Sequence, residues 1–328
     1  MTEPMVRYLI NLGVEVTVAV LPNIAPVYGA MSGIREILIW PFKRGQLQLI
    51  KRLRTAKLIR GRFDRVIICP NSFKNALIPF FADIPQRIGY VGEFRSSLLS
   101  KAVANPDKHE RGSMVEFYKK LAKEGFAESS QNATSVASVA DSPNLSADPI
   151  IVDAALLQFK LSPLGYCVLA PGAEYGPAKR WPTEYFVQTA IDLCLAQLQV
   201  VVLGSLADKG TADQIEQACE AKGLNVLNLA GKTDLAQAIA LVAQARGVIS
   251  NDSGLMHIAA GLKRPQVAIF GSSSPLHTPP LNELAKVLWL SLPCSPCFKR
   301  TCPLGHLNCL KNISVAQVEE SFYEVINA

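Results

Sequence analysis

The sequence predicts an α/β protein made of two doubly wound domains, each with a parallel sheet. Short apolar, strand-like segments alternate with amphipathic helical segments along most of the 328 residues, and this alternation is typical of βαβ units. The length also fits two domains. A stretch at 128–148, rich in Ser, Ala, Asn and Asp and without an aromatic residue, separates two such series. It reads as a linker, so we place an N-terminal domain at 1–150 and a C-terminal domain at 151–328.

The N-terminal series begins with a helix at 3–12 that leads directly into VEVTVAV at 14–20. The strict alternation of valines there predicts a strand. Two more strand-like runs lie at 36–40 and 65–69, and each ends at a proline. The basic stretch between them, 46–60, is predicted to be helical.

The C-terminal series has a longer run of alternating elements. Strands are predicted at 166–170, 199–204, 225–229, 247–250 and 266–270, with helices at 183–198, 211–222, 234–245 and 255–262. A final helix at 314–328 has a serine N-cap and an apolar face. In such sheets ligands bind at the carboxyl ends of the strands, so the loops after those strands are the candidate sites.

The composition excludes several classes of protein. Apolar residues make up 49% of the chain and charged residues 18%, which excludes a wholly disordered protein. Eight cysteines are too few for a secreted disulfide framework, and no run of 18 apolar residues or signal peptide occurs. We therefore expect a cytoplasmic protein.

Two loops of the C-terminal domain have the chemistry of phosphate binding. The first, PGAEYGPAKRWP at 171–182, combines two glycines with Lys179 and Arg180. The second, SNDSGLMH at 250–257, is a strand-to-helix turn, and the N-terminus of such a helix is an anion site. A surface loop in which Trp181 only packs, and an ordinary capped helix with a core histidine, are the structural alternatives.

These loops, in this order, resemble those of glycosyltransferase family 9, the lipopolysaccharide heptosyltransferases. NDSGLMHIAAGLKRPQVAIFGSSSP, PNSFKNALIPFFADIPQRIGY at 70–90 and TPPL at 278–281 carry the same resemblance, which covers essentially the whole chain. It implies the GT-B architecture of two facing domains, with the acceptor in the first and ADP-heptose in the second. It also implies transfer with inversion at the anomeric carbon and without a metal cofactor.

The resemblance also implies roles for single residues. Lys179 matches the family lysine that contacts the donor phosphates, and Asp252, Ser253, Gly254 and His257 match the D-[ST]-G-x-x-H turn that holds the pyrophosphate and the sugar. The adenosine is expected near 204–208 and 231–235. Fixed N–H groups and a lysine would stabilise the charge that develops on the departing ADP.

The acceptor is expected to meet cations of the N-terminal domain. Nine basic residues and one acidic residue lie within 43–65, and this basic stretch would steer the chain to lipid A and its inner-core sugars at the inner membrane surface of a Gram-negative bacterium. A solvated helix face is the alternative. Acceptor-binding residues are predicted to be Asn71, Ser72, Lys74, Arg87 and Arg95. Nucleic acid is not an expected partner, because no aromatic residues interleave with the cations.

Four cysteines, Cys294, Cys297, Cys302 and Cys309, fall within 16 residues, with His306 between the last two. The cluster predicts a structural zinc site outside the donor turns. Its spacing differs from the usual paired CxxC, so reduced thiols or a disulfide stay open as alternatives.

The family's first strand and the Gly-Asp loop after it have no counterpart in the sequence. The aspartate of that loop is the proposed general base of the family. We therefore expect the strands next to the missing one to be either unpaired at their exposed edges or re-paired across the gap. We also expect impaired transfer activity, either because Met1 is an internal methionine of a longer chain or because the protein is truncated. A non-catalytic protein that binds nucleotide sugars or lipopolysaccharide is the alternative to an enzyme.

Overall fold

The computed structural model describes residues 1–43, 45–107, 112–127 and 141–328. They form two compact units. Unit 1 comprises Met1–Ala25 and Gly33–Asp141, and unit 2 comprises Pro26–Ser32 and Ser142–Ala328. The chain therefore leaves unit 1 within the segment predicted as a linker, of which 128–140 lie outside the described residues.

The described residues of unit 1 form mainly four helices and five short strands. In chain order the elements of this half are α1 (Glu3–Asn11), β1 (Val16–Val20), α2 (Ala25–Gly29, of which only Ala25 belongs to unit 1), β2 (Ile34–Ile39), α3 (Leu49–Ile59), β3 (Arg65–Ile68), α4 (Phe73–Phe81), β4 (Gln86–Tyr90), β5 (Lys101–Val103) and α5 (Met114–Gly125). The three strands predicted in this half are confirmed, and β4 and β5 are additional.

The strands of unit 1 form two separate parallel sheets among the described residues. One pairs β1 with β2, and the other has the order β3-β4-β5. Of the two expected outcomes, the described residues show unpaired edges and no re-pairing across the gap. The buried face of α3, with Ala56 and Ile59, packs on Ile78 of α4 and on Ala82 and Ile84 just beyond its end.

Unit 2 contains a longer alternation of helices and strands. These are α6 (Pro149–Phe159), β6 (Tyr166–Ala170), α7 (Thr183–Leu195), β7 (Gln199–Val202), α8 (Lys209–Glu220), β8 (Val226–Asn228), α9 (Leu235–Ala243), β9 (Gly247–Asn251), α10 (Gly254–Gly261), β10 (Gln266–Ile269), β11 (Ala285–Leu288), α11 (Asn308–Lys311) and α12 (Val315–Ile326). All five predicted strands and all five predicted helices are confirmed, with shorter bounds for most of them.

The sheet of unit 2 is continuous, with the order β11-β10-β9-β6-β7-β8 and only parallel pairs. Successive residues of β6 enter opposite cores: Cys167 and Leu169 belong to one apolar cluster, and Tyr166 and Val168 to the other. Both faces of the sheet are therefore covered. Because β6 lies between β7 and β9, the loops after these three strands meet at one edge.

Candidate active site

The loops after β6 and β9 are joined by a buried side chain, Asn251, at the end of β9. Its Oδ1 accepts a hydrogen bond from the backbone N–H of Trp181 at 2.9 Å, and its Nδ2 donates to the carbonyl of Pro171 at 2.7 Å. Asn251 therefore positions both ends of the 171–182 loop. The sequence does not reveal this role, because the two partners lie 70 and 80 residues away along the chain. Its one sign in the sequence is a polar residue at the end of a buried strand.

Two of the predicted donor residues form an ion pair at this edge. The Lys179 Nζ lies 2.5 Å from Asp252 Oδ2, and their side chains are 17% and 4% exposed. The Thr278 hydroxyl lies 3.5 Å from both carboxylate oxygens of Asp252. Thr278 belongs to the TPPL motif but was given no role from the sequence. A buried carboxylate thus holds the lysine ammonium at the mouth of the β9–α10 turn.

The turn itself presents unsatisfied hydrogen-bond donors. Ser253 is the N-cap of α10, yet its side chain caps no backbone N–H, and the buried Oγ has no hydrogen-bond partner within the described part of the chain. A Cβ on Gly254 would meet nothing within 4 Å. The first N–H groups of a helix have no partner within it. The turn therefore combines free N–H groups, a free hydroxyl and open space, which suits an anion.

His257 lies one turn into α10, as predicted, and is partly buried. Burial lowers the pKa of its imidazole, the Lys179 ammonium lowers that pKa further, and the Asp252 carboxylate opposes both. His257 is therefore neutral at pH 7 and has a hydrogen-bond donor and an acceptor to offer.

The loops after β6, β7 and β8 converge beside this turn, in the region expected to hold adenosine. A Cβ on Gly172 would lie 2.4 Å from the Asp208 carboxylate, so only glycine fits there. Asp208 accepts from the backbone N–H and the hydroxyl of Ser205 and pairs with Arg180 at 3.3 Å. Gly231 has a φ of +72°, and a Cβ there would lie 3.0 Å from Leu206, a residue that is 73% exposed. The region thus offers a glycine-lined surface.

The cysteine segment contacts the donor loop directly, although it was predicted to lie outside the donor turns. The backbone N–H of Ala178 donates to the carbonyl of Arg300 at 3.0 Å, and the Phe298 N–H donates to the Ser272 carbonyl at 2.7 Å. The Tyr175 ring lies 5.4 Å from Lys179 Nζ and 5.2 Å from the Arg300 guanidinium carbon. Arg300 is therefore a second cation near the donor turn, and the sequence analysis missed it.

The four cysteines of this segment line one cavity of about 20 Å³ together with His306, Ala178 and Ser272. Burial and the other three thiols raise the pKa of Cys309, whereas backbone N–H groups, that of Leu307 foremost, lower the pKa of Cys302. In the described ranges no three His, Cys, Asp or Glu side chains are already arranged to hold a metal ion. The structural zinc stays a prediction.

Three of the predicted acceptor residues lie together at the carboxyl end of β3. Asn71 and Ser72 precede α4, and Lys74 is in its first turn. All three are partly exposed, and the Ser72 Oγ accepts from Asn75 Nδ2 at 2.6 Å. Their position at the carboxyl end of a parallel strand agrees with a ligand-binding role.

The other two predicted acceptor residues are corrected by the structure. Arg95 is fully buried, and its guanidinium donates to the carbonyls of Tyr90, Pro70 and Ser72 and to Asn71 Oδ1. It therefore positions the 70–72 loop. Arg87 lies near the amino end of β4, at the opposite edge of the sheet, where it donates to the carbonyls of Ile84 and Leu98. Both arginines are held by backbone carbonyls.

Glu93, which the sequence analysis did not single out, lies in the loop after β4. Its carboxylate accepts from the backbone N–H of Phe73, at the start of α4, at 2.9 Å. Glu93 and the fully exposed Phe94 have φ angles of 42° and 55°. Non-glycine residues uncommonly adopt this left-handed region. Glu93 thus adds an acidic group to the edge that carries Asn71 and Ser72.

Comparison with known proteins agrees with this site. The sequence profile of glycosyltransferase family 9 (heptosyltransferase) matches residues 50–308. Lipopolysaccharide heptosyltransferase 2 of Salmonella typhimurium is 36% identical over 308 residues, which cover 92% of this chain and 87% of the relative. The Escherichia coli protein of the same name is 39% identical over 272 residues, covering 81% of this chain and 76% of the relative.

A solved structure described as E. coli ADP-heptose LPS heptosyltransferase II matches with a TM-score of 0.80 and 31% identity, over 99% of this chain and 94% of that one. The chain belongs to glycosyltransferase family 9, the heptosyltransferases, and has the GT-B fold. Both identifications made from the sequence motifs are confirmed. None of the described helices is long and apolar enough to cross a membrane.

Proposed function

We propose that the protein transfers heptose from ADP-heptose to the heptose–Kdo2–lipid A inner core of lipopolysaccharide, as a heptosyltransferase II. The observation that carries this proposal is the β9–α10 turn, where the unpaired Ser253 hydroxyl and the free N–H groups of α10 lie beside the Lys179 ammonium. The names of the relatives supply the donor and acceptor classes.

The proposed reaction is an in-line displacement. The acceptor hydroxyl attacks the anomeric carbon, the bond from that carbon to the β-phosphate oxygen breaks, and the configuration inverts as ADP departs. The proton of the hydroxyl passes to solvent water, because the aspartate proposed as the family's general base has no counterpart in the sequence. Negative charge grows on the β-phosphate, where Lys179, the Ser253 hydroxyl and the α10 N–H groups stabilise it without reorganising. These groups supply the positive potential locally, so no metal ion takes part.

The acceptor is proposed to bind at the edge of unit 1 that carries Asn71, Ser72 and Lys74. These side chains are exposed to a ligand and, with one ammonium, suit the hydroxyls, phosphates and carboxylates of the inner core. Because lipid A is embedded in a bilayer, the protein would work at the cytoplasmic face of the inner membrane, as a peripheral protein.

Incubation with ADP-heptose and heptose–Kdo2–lipid A, followed by mass spectrometry, tests the proposal. We expect the acceptor to gain one heptose, at a reduced rate because the sequence has no counterpart of the family's Gly-Asp loop. Ser253→Ala should lower that turnover by about a further 100-fold, as the loss of one preorganised donor does. Ser291→Ala, at an exposed serine, is the matched control and should leave turnover unchanged. Binding of ADP-heptose without transfer would contradict the proposal and favour a non-catalytic nucleotide-sugar-binding protein.

The cysteine cavity is proposed to be structural and to hold one zinc ion. Four soft thiolate donors around a cavity with room for one water-sized sphere support this, and metal binding would require the thiols to turn inward. Protein purified without added zinc should contain about one ion per chain, and a chelator should lower its melting temperature. A zinc content near zero, with all four thiols titratable, would contradict it.

A further inference from the structure

The outward face of helix α3 is apolar and basic at once. Leu49, Ile50, Leu53 and Leu58 are 43%, 68%, 37% and 76% exposed. The opposite face, with Arg52, Ala56 and Ile59, is buried against unit 1. Four large aliphatic side chains on the solvent side of an 11-residue helix exceed what a solvated helix face needs.

The cations of the helix share this face. Lys51, Arg54 and Lys57 are all exposed. At 100° per residue, Ile50, Arg54 and Lys57 occupy the middle of the face, with Leu49 and Leu53 along one side and Lys51 and Leu58 along the other. No acidic residue occurs between 41 and 63. We call these seven residues the α3 outer face.

Contacts of its inner side hold helix α3 against the rest of unit 1. Arg52, on its inner side, stacks over the Phe42 ring at 4.5 Å and donates to the carbonyls of Leu47 and Lys74. Of the other described cations of the predicted basic stretch, Arg60 pairs with Asp83, Arg62 pairs with Glu36, and Arg65 stacks over the Phe126 ring at 4.0 Å. Lys43 is exposed outside the helix, and Arg44 lies outside the described residues. The α3 outer face thus carries three of the exposed cations of this stretch.

We propose that the α3 outer face binds the surface of an anionic phospholipid bilayer. The leucines and the isoleucine would enter the boundary between headgroups and acyl chains, while Lys51, Arg54 and Lys57 reach the lipid phosphates. This inference deepens the proposed function, since a lipid-linked acceptor lies in a membrane. Charge complementarity selects the bilayer, because a purely apolar partner would leave three cations without counter-charges.

Another helix of the chain supplies a contrast. On α6, Ile150 and Leu157 are 80% and 82% exposed, but this helix carries Asp153 and has no basic residue. We expect exposed aliphatic side chains without neighbouring cations to bind no bilayer. Ile150 and Leu157 therefore serve as a control for Ile50 and Leu58, with the same residue types and similar exposure.

Co-sedimentation of the full chain with vesicles tests the proposal. Vesicles of phosphatidylcholine alone are compared with vesicles that also contain phosphatidylglycerol, and neither contains an acceptor. We expect binding only to the anionic vesicles. Lys51→Gln, Arg54→Gln and Lys57→Gln combined should weaken it on the order of 100-fold, since each cation near such a surface contributes about fivefold. Ile50→Ser with Leu58→Ser should weaken it on the order of 10-fold.

Matched controls separate a specific surface from a general effect. Ile150→Ser with Leu157→Ser, and Lys222→Gln with Lys263→Gln and Lys311→Gln, alter exposed residues of unit 2 and should leave vesicle binding unchanged. Equal losses in the control and α3 variants, or binding to neutral vesicles alike, would overturn the proposal. So would a dimer in solution that the α3 variants dissociate, because a second copy would then cover the face. Neither result would bear on the proposed binding of ADP-heptose, because vesicle co-sedimentation does not measure it.

Discussion

The two units hold their polar side chains at the sheet edge in different ways. In unit 2 the six strands are continuous, and the neighbours β6 and β9 bring Lys179, Asp252 and Ser253 together with free hydrogen-bonding capacity. In unit 1 the sheet is divided, and the arginines near it are bonded to backbone carbonyls. A cation near a sheet edge is therefore a ligand-binding candidate only where the surrounding backbone carbonyls already have other hydrogen-bond partners.

The comparison predicts the largest loss of stability for a substitution of Arg95. Arg95→Met would leave the carbonyls of Tyr90, Pro70 and Ser72 without their buried donor and should cost unit 1 about 3 kcal/mol of unfolding free energy. Hydrogen exchange should show this in the β3-β4-β5 sheet. Arg54→Met, at an exposed arginine, should cost less than about 0.5 kcal/mol.

ADP binding gives the second readout of the same variant. Affinity should stay unchanged in Arg95→Met, because the donor site lies in unit 2. If Arg95→Met instead left unit 1 stable and weakened acceptor binding alone, Arg95 would be a ligand residue and the distinction between the units would fail.

Asn251 is the counterpart in unit 2, with a smaller effect on stability. Asn251→Ala removes the hydrogen bonds to Trp181 and Pro171 and should lower the unfolding free energy by about 2 kcal/mol. ADP affinity should fall about 10-fold, because the loop that carries Lys179 loses its support. Asn312→Ala, at an exposed asparagine, should change neither quantity. A loss of stability without a loss of affinity would show that Asn251 does not position the donor loop.

How well the sequence predicts each unit follows from the same difference. The five predicted strands of unit 2 are mostly apolar and almost completely buried, so each stands out as a short apolar run between helices. The sixth strand, β11, reads AKVL and is partly exposed, and the sequence did not identify it. In unit 1, β4 reads QRIGY and β5 has three residues, which no periodicity identifies. The missing family strand left open whether its neighbours stay unpaired or re-pair across the gap, and the structure shows them unpaired.

The residues of the candidate site also differ in how well the sequence predicts them. Lys179, Asp252 and Ser253 lie in short contiguous motifs, which are identified by their order along the chain and by their resemblance to the family. Asn251, Arg300 and Thr278 act through contacts with residues distant in sequence, which a single sequence does not reveal. Arg87 and Arg95 are of a residue type that often binds anionic ligands. Their long side chains instead donate hydrogen bonds to backbone carbonyls of neighbouring strands and loops.

The smallest expected effect concerns the C-terminal helix of unit 2. Burial, with the adjacent Asp192 carboxylate, raises the pKa of Glu319 to about 7. The folded protein therefore binds this proton more tightly than the unfolded chain, so the unfolding free energy falls as pH rises from 4.5 to 7. At pH 8, Glu319→Gln should stabilise the protein by about 1 kcal/mol and flatten that pH dependence. Thermal melts across pH measure this.

Glu320→Gln, at the exposed neighbouring position, is the control and should leave the pH profile unchanged. A profile for Glu319→Gln that matches the wild type would show that Glu319 is not held protonated by its surroundings.

The central claim is that the edge of unit 2 holds a nucleoside diphosphate through Lys179 and the β9–α10 turn. Calorimetry with ADP on the full chain tests it most directly. We expect binding with a 1:1 stoichiometry, weakened 10- to 100-fold by Lys179→Met, since a charge-assisted hydrogen bond contributes roughly 1.5–3 kcal/mol, and unchanged by Lys222→Met. Equal affinities for the wild type and Lys179→Met, or no binding of ADP by either, would contradict the account.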